Sequence, residues 1–146
     1  MADIFSKEKR SAIMRRVSGK NTKPEIMVRQ FLYKNGFRYR KNYKKIAGNP
    51  DLYILKYNIA IFIHGCFWHG HPGCKHAALP RSNNNYWTNK IQANIKRDSK
   101  NFQILAKNNI SSITIWECEI NTAAKREERL NRLIADIHLL NLQAPG

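Results

Sequence analysis

The sequence predicts an α/β sandwich built on a mixed sheet, and three observations carry that prediction. Apolar residues recur at helical spacing in separate segments. The runs DLYILK (51–56) and IAIFIH (59–64) are rich in β-branched and aromatic side chains, as strands are. The segments follow in the order helix, three strands, helix, strand, helix, which suits a central mixed sheet flanked by helices. With 42% apolar residues in 146, the chain is long enough for one domain, 1–146, with its own core.

Each element has a local reason. Ser6 can cap a short basic helix over about 7–17 that carries Ile13, Met14 and Val17, and SGKNTKP breaks it. Residues 1–20 thus form a basic N-terminal arm. Thr22-x-x-Glu25, with Pro24 in the first turn, has the pattern of a capping box. The helix it opens runs to about Asn35, buries Met27, Val28, Phe31 and Leu32, and ends at Gly36. FRYRKNY (37–43) alternates aromatic with basic residues and reads as a strand with one buried face. The next two strands join near Tyr57-Asn58, and IAIFIH, apolar almost throughout, is expected to be central. A loop rich in Gly, Pro and Asn fills 70–85. A long helix covers about 86–108, SSITIWEC (111–118) forms a strand, and a helix over about 124–140 sets Leu130, Leu133, Ile134 and Ile137 on one side.

The charge points to a polyanion. The chain carries 26 Lys and Arg against 10 Asp and Glu, a formal net charge of +16. Residues 1–50 alone hold 14 Lys and Arg against Asp3, Glu8 and Glu25, a net +11. Nucleic acid is the natural partner of such a field. A membrane surface fits less well, because the basic residues are spread over several elements rather than one amphipathic helix. No apolar run is long enough to cross a bilayer, and MADIFSKEKR has no signal-like segment, so an intracellular protein is expected. Three cysteines, an odd number without an export signal, favour metal ligation or buried thiols over disulfides.

Cys66-x4-His71-x2-Cys74 places two thiols and an imidazole on one loop, and Cys118 stands at the expected end of a later strand. Such a set fits a tetrahedral zinc site in which the protein supplies all four ligands, so the zinc would be structural. His76 is an alternative to His71, and three buried thiols with surface histidines are the plainer reading.

Pro50-Asp51 stands where a loop enters one strand, and Ile63-His64 ends its neighbour. A carboxylate and groups on the adjoining strand can hold Mg2+ between them, which phosphodiester cleavage uses. By itself Asp51 reads first as a turn or strand-edge residue. Asp98 falls on the stripe of Ile91, Ile95, Phe102 and Leu105 along the long helix, and an acid facing a core needs a partner. It either orients a histidine, His69 first, or sits at the border beside a Lys or Arg. Glu25 caps its helix or, lying on the Val28 and Leu32 side, points inward. Phe67-Trp68 in the cysteine loop and Tyr86-Trp87 at a helix start suit wedging between bases, or ordinary core packing.

Taken together, KRSAIMRRV (9–17), NTKPE (21–25), NPD (49–51), IFIHGCFWHGH (61–71), YW (86–87), KRD (96–98) and WEC (116–118) resemble the very short patch repair (Vsr) DNA mismatch endonucleases over about residues 3–140. The resemblance implies a restriction-endonuclease-like fold of PD-(D/E)xK type with a structural zinc, and a monomer that nicks one strand of duplex DNA at T:G mismatches left by 5-methylcytosine deamination. It implies that Asp51 and the Ile63 backbone carbonyl bind Mg2+, that His69 acts on the attacking water with Asp98 behind it, and that Glu25 and His64 complete the site. Cys66, His71, Cys74 and Cys118 would hold zinc. Phe67, Trp68 and Trp87 would intercalate from the major groove and Met14 from the minor groove. A cytoplasmic, nucleoid-associated location in a prokaryote follows, with repair proteins acting after the nick. The alternatives are a sequence-specific restriction endonuclease of the same fold and a non-catalytic zinc-stabilised DNA-binding protein. The sequence departs from the pattern in three places. Phe62-Ile63-His64 stands where fold relatives carry acid-x-Lys, Ile63 stands where the family commonly has Thr, and one extra residue separates His71 from Cys74.

Overall fold

The structure, a computed structural model, describes residues 22–143. The expected helix over 7–17, and Met14 with it, lies outside the described residues. The elements are α1 (Lys23–Lys34), β1 (Arg40–Lys41), β2 (Leu52–Ile54), β3 (Ile59–His64), α2 (Asn84–Lys107), β4 (Ser111–Trp116) and α3 (Ala123–Gln143). The strands lie in the order β1-β2-β3-β4. β1, β2 and β3 pair antiparallel, whereas β3 and β4 are parallel, so the sheet is mixed as expected. The parallel pair needs a long crossover, and α2 supplies it.

β3 is buried along all six of its residues, as an inner strand covered on both faces must be. Its alternation separates two cores. Ile59, Ile61 and Ile63 join Leu52, Ile54, Ile113 and Ile115 against Val28 and Leu32 of α1 and Leu130, Leu133 and Ile137 of α3. Ala60 and Phe62 face the other way, with Tyr53 and Leu105, beneath α2. His64 continues that second face, its ring 5.8 Å from Phe62 and 6.1 Å from Phe102. The end of β3 therefore delivers its last side chain towards α2.

Three expectations are corrected. The first strand spans two residues rather than 37–43, because Asn42 takes a left-handed φ of 48° and leaves the extended conformation, although the N–H groups of Asn42 and Tyr43 still donate to the Asp51 and Pro50 carbonyls. Tyr43 then stacks on Tyr53 at 4.9 Å instead of extending the strand. The capping box does not form: Thr22 makes no side-chain cap bond, and Glu25 is buried, drawn inward to Arg29 (3.4 Å) and to the Asp51 carboxyl. Cys118 stands on a 3-10 turn, Glu117–Glu119, because β4 already ends at Trp116.

Candidate active site and metal centre

Because β2 and β3 are antiparallel, the start of β2 lies beside the end of β3. Asp51, one residue before β2, accepts the Ile63 N–H at 2.7 Å. Glu25 reaches the same place from α1 and shares a hydrogen bond with Asp51. Asp98 approaches from α2, and His69 from the loop after β3. These groups, with Ile63 and His64, line one cleft of about 790 Å3.

The electrostatics follow from burial and from like charges placed together. Burial pushes the Asp51 carboxyl up to about 7; the Ile63 N–H opposes this and the Glu25 carboxylate reinforces it. Two carboxylates in hydrogen-bond contact cannot both carry full charge in such a site unless a cation joins them. The residues therefore fit a hard divalent cation such as Mg2+, whose ligands are oxygens. Burial, with the neighbouring His69, lowers His64 to about 3, so its imidazole is neutral at physiological pH. The His64 and His69 rings lie parallel, 3.7 Å apart. Nδ1 of His69 stands 2.6 Å from Asp98 Oδ2. With a proton on Nδ1 to donate to that carboxylate, the neutral ring keeps Nε2 as its acceptor. Burial pushes the Asp98 carboxyl up, but the hydrogen bond with His69, the two imidazoles beside it and the Arg97 guanidinium together outweigh it, and the net shift is downward.

Two residues beyond His64 the chain turns to a different chemistry. The ligand atoms of Cys66, His71, Cys74 and Cys118 all lie within 4.8 Å of one another. His71 Nδ1 is 3.4 Å from Cys118 Sγ. His76, exposed on the turn Lys75–Ala77, is outside this set. Burial pushes the Cys66 thiol up to about 12, a cost that a bound cation reverses by taking the thiolate. Three sulfurs and one imidazole nitrogen suit zinc. The loop lies directly on α2: a Cβ on Gly70, whose φ is 60°, would sit 2.7 Å from Ile95 Cδ1 and 2.9 Å from Ile91 Cγ2. Only glycine fits there.

The loop's aromatics form one edge-on group. Phe67 lies 5.2 Å from Trp68 and 5.3 Å from Trp87, and the two Trp rings are 5.8 Å apart. All three are half-buried, and Tyr86 beside them is exposed. Asn94 of α2 holds the loop by donating to the Trp68 carbonyl at 2.9 Å. Other residues of the site went unassigned from the sequence. Lys44, Lys90, Arg97 and Glu117 also line the cleft. Trp116 separates the two centres, stacked on His71 at 4.1 Å and edge-on to His64 at 5.3 Å. The available signal was Trp116-Glu117 directly preceding a metal-capable cysteine. No helix among the described residues is long and apolar enough to cross a membrane.

Residues 2–76 match the family described as DNA mismatch endonuclease Vsr. The chain is 48% identical over 137 residues to the type II nicking enzyme V.NmeAIP of Neisseria meningitidis, covering 94% of this chain and 97% of that protein. It is 39% identical over 134 residues to the type II nicking enzyme V.XorIIP of Xanthomonas oryzae pv. oryzae, covering 92% and 98%. To the DNA mismatch endonuclease Vsr of Escherichia coli it is 31% identical over 125 residues, covering 86% and 80%.

Proposed function

The chain belongs to the Vsr family of DNA mismatch endonucleases and is a DNA endonuclease, and on that premise we propose that it nicks one strand of duplex DNA beside a T:G mismatch. The observation that carries this reading is the meeting of a carboxylate pair, Asp51 and Glu25, with an Asp98–His69 dyad in one cleft next to a platform of three aromatic rings. We read the sheet and its helices as the restriction-endonuclease-like type. The enzyme acts as a monomer on DNA of the nucleoid, in the cytoplasm.

Asp51 and the Ile63 backbone carbonyl would hold Mg2+, which when bound polarises the scissile phosphate. Glu25 adds a second carboxylate on the same wall. His69 takes the proton of the attacking water at Nε2, and Asp98 fixes its ring and stabilises the imidazolium. His64, neutral and stacked on His69, holds the ring plane without competing for the proton. Cys66, His71, Cys74 and Cys118 would hold zinc, which stiffens the loop that carries the wedge. Phe67, Trp68 and Trp87 enter at the mismatch, with Met14 opposing them from the other groove. A T:G wobble is poorly stacked, so inserting a ring beside it costs less than at a matched step, and the difference supplies selectivity. Lys44, Lys90 and Arg97 place cations against backbone phosphates along the cleft.

The test uses end-labelled duplexes carrying one T:G pair in varied contexts, beside matched controls, with Mg2+ or with EDTA. A single nick next to the T, only with Mg2+, is expected. The names of several relatives, type II nicking enzymes, favour a second reading in which the nick falls at an intact recognition sequence. Equal nicking of the matched duplex would establish that reading instead.

A further inference from the structure

β4 is an edge strand among the described residues, and the turn that follows it belongs to both centres. Trp116 stands between His71 and His64, Glu117 lines the cleft, and Cys118 is part of the metal-capable set. What holds this segment is Glu119 on the turn itself together with charges from α3. Glu119 uses both carboxylate oxygens: Oε1 accepts the Trp116 N–H at 2.8 Å, and Oε2 accepts from Arg132 at 3.2 Å and lies 3.4 Å from Arg129 Nε. Arg129, with its side chain only 7% exposed, donates to the Thr114 carbonyl at 3.2 Å and lies 3.8 Å from Asp136. Arg126 donates to the Ile120 carbonyl at 3.3 Å. Three arginines spaced three residues apart thus grip residues 114–120.

A buried arginine adds little stability over a well-packed apolar side chain, and among the described residues Nε and Nη1 of Arg129 make no hydrogen bond. The return on burying it is therefore geometric: charge fixes the direction of a short turn that, among the described residues, has no ladder partner on its outer side. Resting on the metal-centre reading above, we propose that Glu119, clamped by Arg129 and Arg132, is the positioning residue of the zinc centre. It holds the Trp116 backbone so that Cys118 points at His71 while the Trp116 ring keeps its place between the two histidines. Groups that orient the ligands of a metal without touching it govern affinity in this way.

The experiment is a Co2+ titration of the full chain, read by the thiolate charge-transfer and d–d absorption bands, followed by displacement with Zn2+. Wild-type protein should give the intense visible bands of a tetrahedral thiolate site; their absence would overturn the metal-centre reading itself. Given those bands, Glu119→Gln keeps the shape and an acceptor for the Trp116 N–H but removes the charge. Its affinity for both metals should fall by about 10- to 100-fold, with altered d–d bands. Arg132→Gln, at a position half-exposed to solvent, should weaken binding in the same direction by a smaller factor, and it decides the matter should Glu119→Gln not fold. Unchanged affinity and bands in both variants, or in Arg132→Gln when it alone folds, would overturn the proposal.

Discussion

The metal-capable knot and the cleft are made from the same few residues of chain, yet they do opposite work. His64 faces the cleft and Cys66 the knot; five residues later His69 faces the cleft and His71 the knot. Each centre thus takes one of every pair, on either side of Trp116. The knot gathers four soft donors and leaves no ligand position for a substrate, which suits a structural ion. The cleft sets carboxylates and imidazoles around about 790 Å3 of open space, which suits a hard cation, a water and a phosphate. Donor softness and openness, not proximity in sequence, separate scaffold from chemistry.

The largest effect that would break the comparison is expected at Asp51. Asp51→Ala should reduce nicking by ~1,000-fold or more, since cation and acid act only on the reaction, and change duplex affinity by no more than a few-fold. Parallel loss of both, measured by single-turnover cleavage and by titration of labelled duplex, would merge the two roles. On the knot, Cys118→Ser should weaken zinc by roughly 100-fold and lower the melting temperature of the zinc-loaded protein by on the order of 5–10 °C. Nicking by the fraction still folded should keep its Mg2+ dependence; a changed Mg2+ requirement would show that the two centres are one. A smaller effect is expected from Asp98→Asn, which leaves His69 in place but no longer stabilises its charged form. The rate should fall by about 10- to 100-fold with KM nearly unchanged. A rise in KM alone would assign Asp98 to DNA binding.

Much of this division was legible in the sequence, and the parts that were not share a cause. The β-branched run of β3 announced an inner strand, the Cys66, His71, Cys74 and Cys118 spacing announced the knot, and Asp98 on an apolar stripe offered two partners, a histidine or a cation, of which the structure shows both, His69 at 2.6 Å and Arg97 at 3.8 Å. Those signals are local. Glu25 satisfied two local patterns at once, and only its contact with Asp51, 26 residues away, turned it inward. The short β1 depended on the backbone of Asn42, which its side-chain pattern did not reveal. Ile95, on the same stripe as Asp98, is 36% exposed because the knot loop covers it only in part, at Gly70. The place of Trp116 needed the parallel register that pairs it with His64, and no run of neighbouring residues encodes a register between strands 52 positions apart.

The smallest effect, and the sharpest on the cleft, is the pH dependence of stability without Mg2+. Asp51 has a folded value of about 7 against an ordinary 3.8, so the fold binds an extra proton between those values and gains stability as pH falls through that window. Glu117, raised by burial, acts in the same direction. His64 has a folded value of about 3 against an ordinary 6.5, so the unfolded chain binds the extra proton there. Its contribution is fully present above 6.5 and is lost as pH falls towards 3. The two windows overlap from about 4 to 6.5 with opposite signs. Wild-type protein, zinc-loaded and free of Mg2+, should therefore show a shallow change of melting temperature across that range. Asp51→Asn removes one side of the balance, and its melting temperature should fall on acidification; His64→Phe removes the other, and its melting temperature should rise relative to wild type. Three parallel curves would mean that neither group is held away from its ordinary value, and the cleft would then lack the paired acid that its cation chemistry requires.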